Sequence, residues 1–169
     1  MTHFHADFVS GHYDLSVKTG AQIIYGPTAK ADIPIIAAED NQVFQLGKIG
    51  IRTMHTPGHT MESTCWVIED NGKDECVFTG DTLFLGEVGR PDLAVKTGSI
   101  TKEDLAGFLY DSLRNKVMKL DHEVVVFPAH GAGSPCGKKI ADGTYCTIGK
   151  QLASNYALQD MTKEAFIND

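Results

Sequence analysis

Two histidines and an aspartate stand at alternating positions near the start of the chain, His3-x-His5-x-Asp7, within the segment MTHFHADFVSG. Residues two apart in an extended segment point the same way, so two imidazoles and a carboxylate can converge on one point. Three convergent nitrogen and oxygen donors suit a metal ion. Composition alone leaves a second account open, a solvated His-rich terminal tract. Further along, three β-prone runs each end in a turn bearing one more metal-competent residue: His59 in TPGHT, Asp81 in TGDT and His130 in PAHG. Turns at the ends of rigid strands are common carriers of functional residues. Taken singly, each has a plainer reading, since Gly-Asp after a strand is usually a turn and an isolated histidine is usually a satisfied surface or core residue. The joint order H-x-H-x-D, G-H-T, T-G-D, P-A-H-G is far more specific than any one part. His12, His55 and His122 carry no such signal.

The elements that must position these residues follow from periodicity and punctuation. Ser10 to Thr19 reads as a helix capped by Ser10 and stopped by Gly20. Ala21 to Tyr25 is β-prone, and Ile33-Pro34-Ile35-Ile36 is an edge segment because proline cannot donate to a central ladder. Val43–Leu46 and Ile49–His55 flank Gly47-Lys48 as a hairpin that runs into the His59 turn. Cys65–Glu69 and Cys76–Thr79 bracket Asp70-Asn71-Gly72-Lys73 as a second hairpin, ending at Asp81. Residues 83–100 read as a Gly-punctuated loop carrying Glu87, Arg90 and Asp92, and long loops of this kind in compact domains are often functional. Thr101-Lys102-Glu103-Asp104 opens a helix through about Met118 with a capping-box pattern. Its apolar positions Leu105, Phe108, Leu109, Leu113 and Val117 predict one buried face. Val124–Phe127 is an apolar strand ending at His130. Residues 131–149 are loop-like, and Gln151–Ile167 reads as helical.

At 169 residues and 42% hydrophobic content the chain can bury one sizeable core and is read as a single domain, residues 1–169. A formal charge of −7 makes nucleic acid and anionic membrane poor partners, because the phosphate term is repulsive overall. A small-molecule substrate fits better. The four cysteines, Cys65, Cys76, Cys136 and Cys146, form no C-x-x-C pair and no dense framework, which predicts a reduced, cytoplasmic setting. No apolar run approaches the roughly 20 residues of a membrane span.

The order and wording of THFHADFVSGH, TPGHT, FTGDTLF, VGRPD and PAHGAGSPCGK resemble the metallo-β-lactamase superfamily, and within it most resemble bacterial persulfide dioxygenases, including those fused to rhodanese domains. The resemblance covers nearly the whole chain. It implies an α/β fold, the αββα sandwich in which two sheets lie between helices with metal at one edge. It also implies an iron(II) enzyme that uses O₂ to convert glutathione persulfide, or a related persulfide, to sulfite and thiol. The related dinuclear hydrolases carry H-x-H-x-D-H, whose last histidine helps to hold a second metal. Phe8 stands there in this chain, and a phenyl ring has no lone pair to donate, so one metal is the favoured count. Family matching then gives His3, His59 and Asp81 as the ligands of one Fe(II), two histidines and one carboxylate with open positions. His5, Asp7 and His130 match catalytic positions beside the metal that orient its ligands and the substrate.

Within VGRPD, Arg90 and Asp92 form an internal pair that organises the loop, with direct substrate contact by Arg90 as the alternative. Lys138 and Lys139 read as a solvated basic pair. Cys136 can carry a sulfane sulfur only if its thiol pKa is lowered. Two rival functions stay open: a zinc thioester hydrolase of the glyoxalase II type, and a catalytically idle sulfur-carrier or interaction module. The resemblance further implies strands ahead of H-x-H and, at NYALQDMTKEAFIND, a lead into a fused rhodanese domain. The sequence is therefore read as a fragment of a longer chain with an incomplete sandwich, an exposed sheet edge or apolar face, and a loosely held His3. A homo-oligomer is compatible with this reading.

Overall fold

The computed structural model describes residues 1–4, 7, 9–95 and 99–169. The large sheet is built from the two hairpins the turn chemistry predicts. Val43–Leu46 (β3) pairs antiparallel with Ile49–His55 (β4), β4 with Thr64–Asp70 (β5), and β5 with Lys73–Gly80 (β6) across Asn71-Gly72. Val125–Pro128 (β9) then joins β6 in parallel, and Cys146–Thr147 (β10) closes the other edge. The resulting order is β10-β9-β6-β5-β4-β3. Two short pairs complete the β structure, the parallel Ile24–Tyr25 (β1) with Ile36–Ala37 (β2), and the hairpin Leu83–Phe84 (β7) with Glu87–Val88 (β8). The second sheet implied by the resemblance is present, among the described residues, only as these two-stranded pairs.

Period-two alternation sends Cys65, Val67, Val77 and Val126 to one face of the sheet, where they meet Leu109, Leu113 and Val117 and the apolar residues Ile148, Ala157 and Leu158. The helix that covers this face, Lys102–Asn115 (α2), starts with the expected capping box. The Thr101 hydroxyl accepts from the Asp104 amide at 3.0 Å, and the Asp104 carboxylate accepts from the Thr101 amide at 3.0 Å. Burial of Leu105, Leu109, Leu113 and Val117, at roughly 1.5–3 kcal/mol per large side chain, fixes the helix on the sheet. Phe108 departs from the predicted face and is 40% exposed, while Ala106, Gly107 and Ser112 are buried. The cause is a second contact: Lys163 and Ile167 of the C-terminal helix Lys163–Asn168 (α4) pack over Gly107, where no side chain stands in the way.

On the opposite face Trp66 and Phe78 are cross-strand partners, Phe78 stacks on Phe127 at 5.4 Å between centroids, and Phe78 stays 44% exposed. The edge strand β3 likewise leaves Val43 and Leu46 exposed. Three further expectations are corrected. The first helix is His12–Thr19 (α1) with Gly11, not Ser10, at its N-cap; Gly20 ends it in the left-handed region. The loop at 83–100 contains the β7–β8 hairpin. The C-terminal helix is three pieces, Ile148–Ser154 (α3), a 3₁₀ turn at Tyr156–Leu158, and α4. The first break falls at Asn155, which is fully buried and donates to the Glu87 carbonyl and to Gln151 Oε1. No helix among the described residues is long and apolar enough to cross a membrane.

Candidate metal centre

Three segments deliver donors to one end of the sheet. His3 sits in the extended N-terminal segment, which lies along β5. The Thr64 amide donates to the Thr2 carbonyl at 2.9 Å, and Trp66 Nε1 donates to the Met1 carbonyl at 2.9 Å. The Met1 amino group in turn donates to the Ile24 carbonyl at 2.8 Å. These bonds correct the expectation of a loosely held His3, which is only 2% exposed. His59 follows β4 through Thr56-Pro57-Gly58. Gly58 has φ of 152°, and a Cβ there would stand 2.4 Å from Leu109 Cβ, so glycine lets this turn press against α2. Ser112 Oγ fastens the same turn by donating to the Pro57 carbonyl at 2.8 Å. Asp81 follows β6, where the Thr82 amide closes a turn onto the Thr79 carbonyl at 3.0 Å. The Ala129 amide ties the end of β9 to the same place by donating to the Gly80 carbonyl at 3.1 Å.

The donor atoms of His3, His59 and Asp81 lie within 4.8 Å of one another and all three residues are buried. Asp81 Oδ2 is 3.7 Å from His3 Nε2 and 3.4 Å from His59 Nε2. Donors about 2.0–2.3 Å from a shared ion stand roughly 3–4 Å apart, so these separations fit a metal without rearrangement. Ring orientation is set from behind. His59 Nδ1–H donates to the Arg90 carbonyl at 2.8 Å, which leaves the Nε2 lone pair facing Asp81. His3 Nδ1 is hydrogen-bonded to Thr2 Oγ1 at 3.1 Å, and the two imidazoles meet edge to face with centroids 5.0 Å apart.

A second group borders the first. His130 Nε2 is 3.5 Å from Asp81 Oδ2 and 3.4 Å from Asp7 Oδ2, and Cys136 Sγ lies 3.9 Å from the same Asp7 oxygen. Burial pushes the Cys136 thiol up, and the carboxylates of Asp81 and Asp7 add to the rise against a bond from Ser134. This environment is the reverse of the lowered pKa that a sulfane carrier requires. His5 and Phe8 lie outside the described residues.

Arg90 is held as an internal pair. Its Nε and terminal nitrogen donate to the two oxygens of Asp92 at 2.9 and 2.7 Å. Its backbone carries more than its side chain, because the Arg90 amide donates to the Cys136 carbonyl at 2.9 Å while its carbonyl holds His59. The neighbouring Gly89 is a position that sequence reasoning passed over. A Cβ there would stand 1.8 Å from the Asp81 carbonyl oxygen and 3.2 Å from His59 Nδ1, so only glycine admits the loop this close to two ligands. The glycine in VGRPD was the available signal. Lys138 Nζ is engaged by the Asp169 carbonyl at 2.6 Å, and the Lys139 backbone amide donates to Glu87 Oε2 at 3.0 Å. His12 and His55 are likewise used elsewhere, bonded to Ser10 Oγ at 2.8 Å and to the Met61 carbonyl at 2.9 Å.

Buried imidazoles and a carboxylate gathered at one end of a sheet packed on helices define an α/β sandwich of the metal-site class. The chain belongs to the metallo-β-lactamase superfamily, whose family model matches residues 1–130. Among solved structures, a metallo-β-lactamase from Staphylococcus aureus subsp. aureus COL superposes with a TM-score of 0.88 at 31% identity, covering 99% of this chain and 50% of that one. Among curated proteins, the human mitochondrial persulfide dioxygenase ETHE1 is 31% identical over 132 residues, 76% of this chain and 46% of its own length. A probable hydroxyacylglutathione hydrolase of Schizosaccharomyces pombe is 29% identical over 129 residues, again 76% of this chain and 46% of its own. The chain spans about half the length of the curated relatives it matches.

Proposed function

We propose that this protein is an iron(II) persulfide dioxygenase that oxidises glutathione persulfide, or a related small persulfide, to sulfite and thiol. The observation that carries the reading is the buried His3, His59 and Asp81 set, the two-histidine, one-carboxylate triad suited to non-haem Fe(II) with open positions. Phe8, where the dinuclear hydrolases carry a histidine, favours one iron over two metals. The similarity to a persulfide dioxygenase over 132 residues supports the substrate class.

Bound at the triad, Fe(II) would bring persulfide and O₂ together at one centre and would relay electrons from the sulfur to oxygen. The residues of the chain do the rest. His3 and His59 are held by Thr2 and by the Arg90 carbonyl with their Nε2 atoms facing Asp81, and burial of all three donors keeps bulk water from them. His130 Nε2 stands between Asp7 and Asp81, 3.4 and 3.5 Å from their carboxylate oxygens, at the mouth of the site. Arg90 serves through its backbone, with its guanidinium clamped on Asp92. The reaction consumes one O₂ and one water per persulfide and returns thiol, sulfite and two protons. The outer sulfur gives up the four electrons that O₂ takes. Oxygen uptake with glutathione persulfide by the iron-loaded protein tests the reading; no uptake from an iron-replete sample would sink it.

One observation favours a second reading. Asp7 and His130 face each other at 3.4 Å, as a second metal would require, and a hydroxyacylglutathione hydrolase is among the relatives. A zinc-dependent thioester hydrolase is that alternative. Two zinc ions per chain together with hydrolysis of a glutathione thioester, without oxygen uptake, would establish it in place of the dioxygenase. A fused rhodanese domain as partner and a cytoplasmic location belong to the same proposal as its expected setting.

A further inference from the structure

The segment that orients His59 is itself held by a buried carboxylate. Glu87 is 3% exposed, and three donors converge on it: the Val88 amide at 3.0 Å and the Tyr156 hydroxyl at 2.8 Å on Oε1, and the Lys139 amide at 3.0 Å on Oε2. None of the three is a cation. Burial, and then the bond to Glu87, push the Tyr156 phenol up, which keeps it a donor. A buried carboxylate is costly unless its lone pairs are filled, and an apolar side chain would fill the same space without that cost. Two of the bonds reach the elements around the metal centre. Val88 leads through Gly89 into Arg90, whose carbonyl holds His59 Nδ1 at 2.8 Å. Lys139 ends the stretch that carries Cys136, and the Cys136 carbonyl accepts from the Arg90 amide at 2.9 Å. Segments 87–90 and 136–139 are thus bridged at both ends, by Lys139 to Glu87 and by Arg90 to Cys136. Gly137 lets them close, since a Cβ there would stand 3.0 Å from Glu87 Cγ and 2.9 Å from Ile140 Cγ1.

We propose that Glu87 is a positioning residue for the buried triad: by holding the Val88 and Lys139 amides on its two oxygens it sets the Arg90 carbonyl, and through it the His59 ring. The two backbone donors require a carboxylate. Glutamine has the same shape but only one acceptor oxygen, so whichever way its amide turns, the Val88 or the Lys139 N–H faces an NH₂ group. The Tyr156 hydroxyl can accept as well as donate and tolerates either orientation. Removing the partner directly behind a metal ligand usually costs 10–100-fold in metal affinity. Glu87 stands one step further out, behind the Arg90 carbonyl, so the low end of that range, about 10-fold, is expected. The inference concerns metal binding by this chain and does not depend on which reaction the triad supports.

Cobalt(II) binding to the full 169-residue chain tests it. The visible spectrum of bound cobalt reports the geometry of its ligands, and the band that belongs to the triad is the one lost in His59→Ala. Glu87→Gln is expected to weaken cobalt binding about 10-fold and to shift that band, at a temperature where circular dichroism shows each variant folded. Tyr156→Phe is the control. It removes a hydroxyl from the same carboxylate and is expected to lower the melting temperature yet leave affinity and spectrum as in the wild type, because both backbone amides keep their acceptors. Gly137→Ala parts the loop from Glu87 while the carboxylate stays. It is expected to reproduce the Glu87→Gln shift, and it carries the test alone if Glu87→Gln does not fold. Wild-type affinity and spectrum in folded Glu87→Gln, or in Gly137→Ala, overturns the proposal. So does an equal change in Tyr156→Phe, which would mark Glu87 as structural only, or the absence of a triad band in the wild type. No persulfide-dependent oxygen uptake by the iron-loaded wild type, with the cobalt results as expected, would count against the dioxygenase and leave Glu87 its role.

Discussion

The two donor clusters share Asp81 as a border yet are built in opposite ways. The buried cluster takes its ligands from a segment laid along β5 and from turns directly after β4 and β6, each turn pinned by backbone hydrogen bonds and close packing. The rim cluster takes Asp7 from the N-terminal segment and His130 and Cys136 from the loop beyond β9, and the Asp7 side chain is 31% exposed. Rigid, dry geometry suits a centre whose donors must hold still around an ion. The rim set is wetter at Asp7 and rests on loops, although its thiol is buried. The contrast teaches that ligand chemistry alone does not decide what a cluster is for, because the supporting elements decide how firmly it is held.

The sharpest way to break the comparison is to remove its border. Asp81→Ala is expected to empty the buried cluster and to lower the proposed persulfide oxidation by more than about 100-fold, beyond the 10–100-fold usual for residues that only support ligands; metal content and oxygen uptake check it together. Gly89→Ala is expected to disturb the buried cluster through a Cβ 1.8 Å from the Asp81 carbonyl oxygen. Overpacking of this kind costs about 3 kcal/mol, read as a fall in melting temperature of roughly 6–12 °C.

The third expected effect separates the two buried thiols by pH. Burial pushes the Cys65 thiol up to about 11 from an ordinary 9.0. A pKa raised by folding gives stability that is fully present below the unfolded value and is lost as pH climbs through the folded one. About 3 kcal/mol should therefore disappear between about pH 9 and 11, visible in urea melts and absent in Cys65→Ala. Asp7→Asn is expected to lower oxygen uptake by about 10–100-fold while iron stays bound, which would confirm that the rim supports the triad without ligating its metal. The smallest effect belongs to Asp92→Ala. The Arg90 pair it breaks is largely exposed, so stability should change by less than about 1 kcal/mol, and His59 should keep its bond to the Arg90 carbonyl.

Much of the buried cluster was legible in sequence because His59 and Asp81 each follow a strand run with its own signal. β4 announces His59 through Pro57-Gly58, and β6 announces Asp81 through Gly80. The capping box at Thr101 and the Asn71-Gly72 turn were equally plain, since both are local chemistry. Other features were not, for physical reasons. The β7–β8 hairpin has strands of two residues, too short for alternation to show. Phe108 was assigned to the core because period alone cannot see that α4 packs over Gly107. The break at Asn155 depends on bonds to Gln151 and Glu87, the latter far away along the chain. Glu87 itself reads as a loop carboxylate, yet it is buried and accepts from the Val88 and Lys139 amides and the Tyr156 hydroxyl. Cys136 could be placed near the site by sequence, but not within ligand distance of Asp7.

The peptide units on either side of Arg90 have a consequence for reciprocity. Its carbonyl holds His59 and its amide holds the Cys136 carbonyl, and Pro91 after it restricts Arg90 to extended geometry. One stiff residue thus spans both clusters, so filling either one fixes the frame the other must use. Binding free energies coupled in this way are symmetric. Whatever free energy a change at the rim adds to metal binding at the buried cluster, metal binding there must return to the rim.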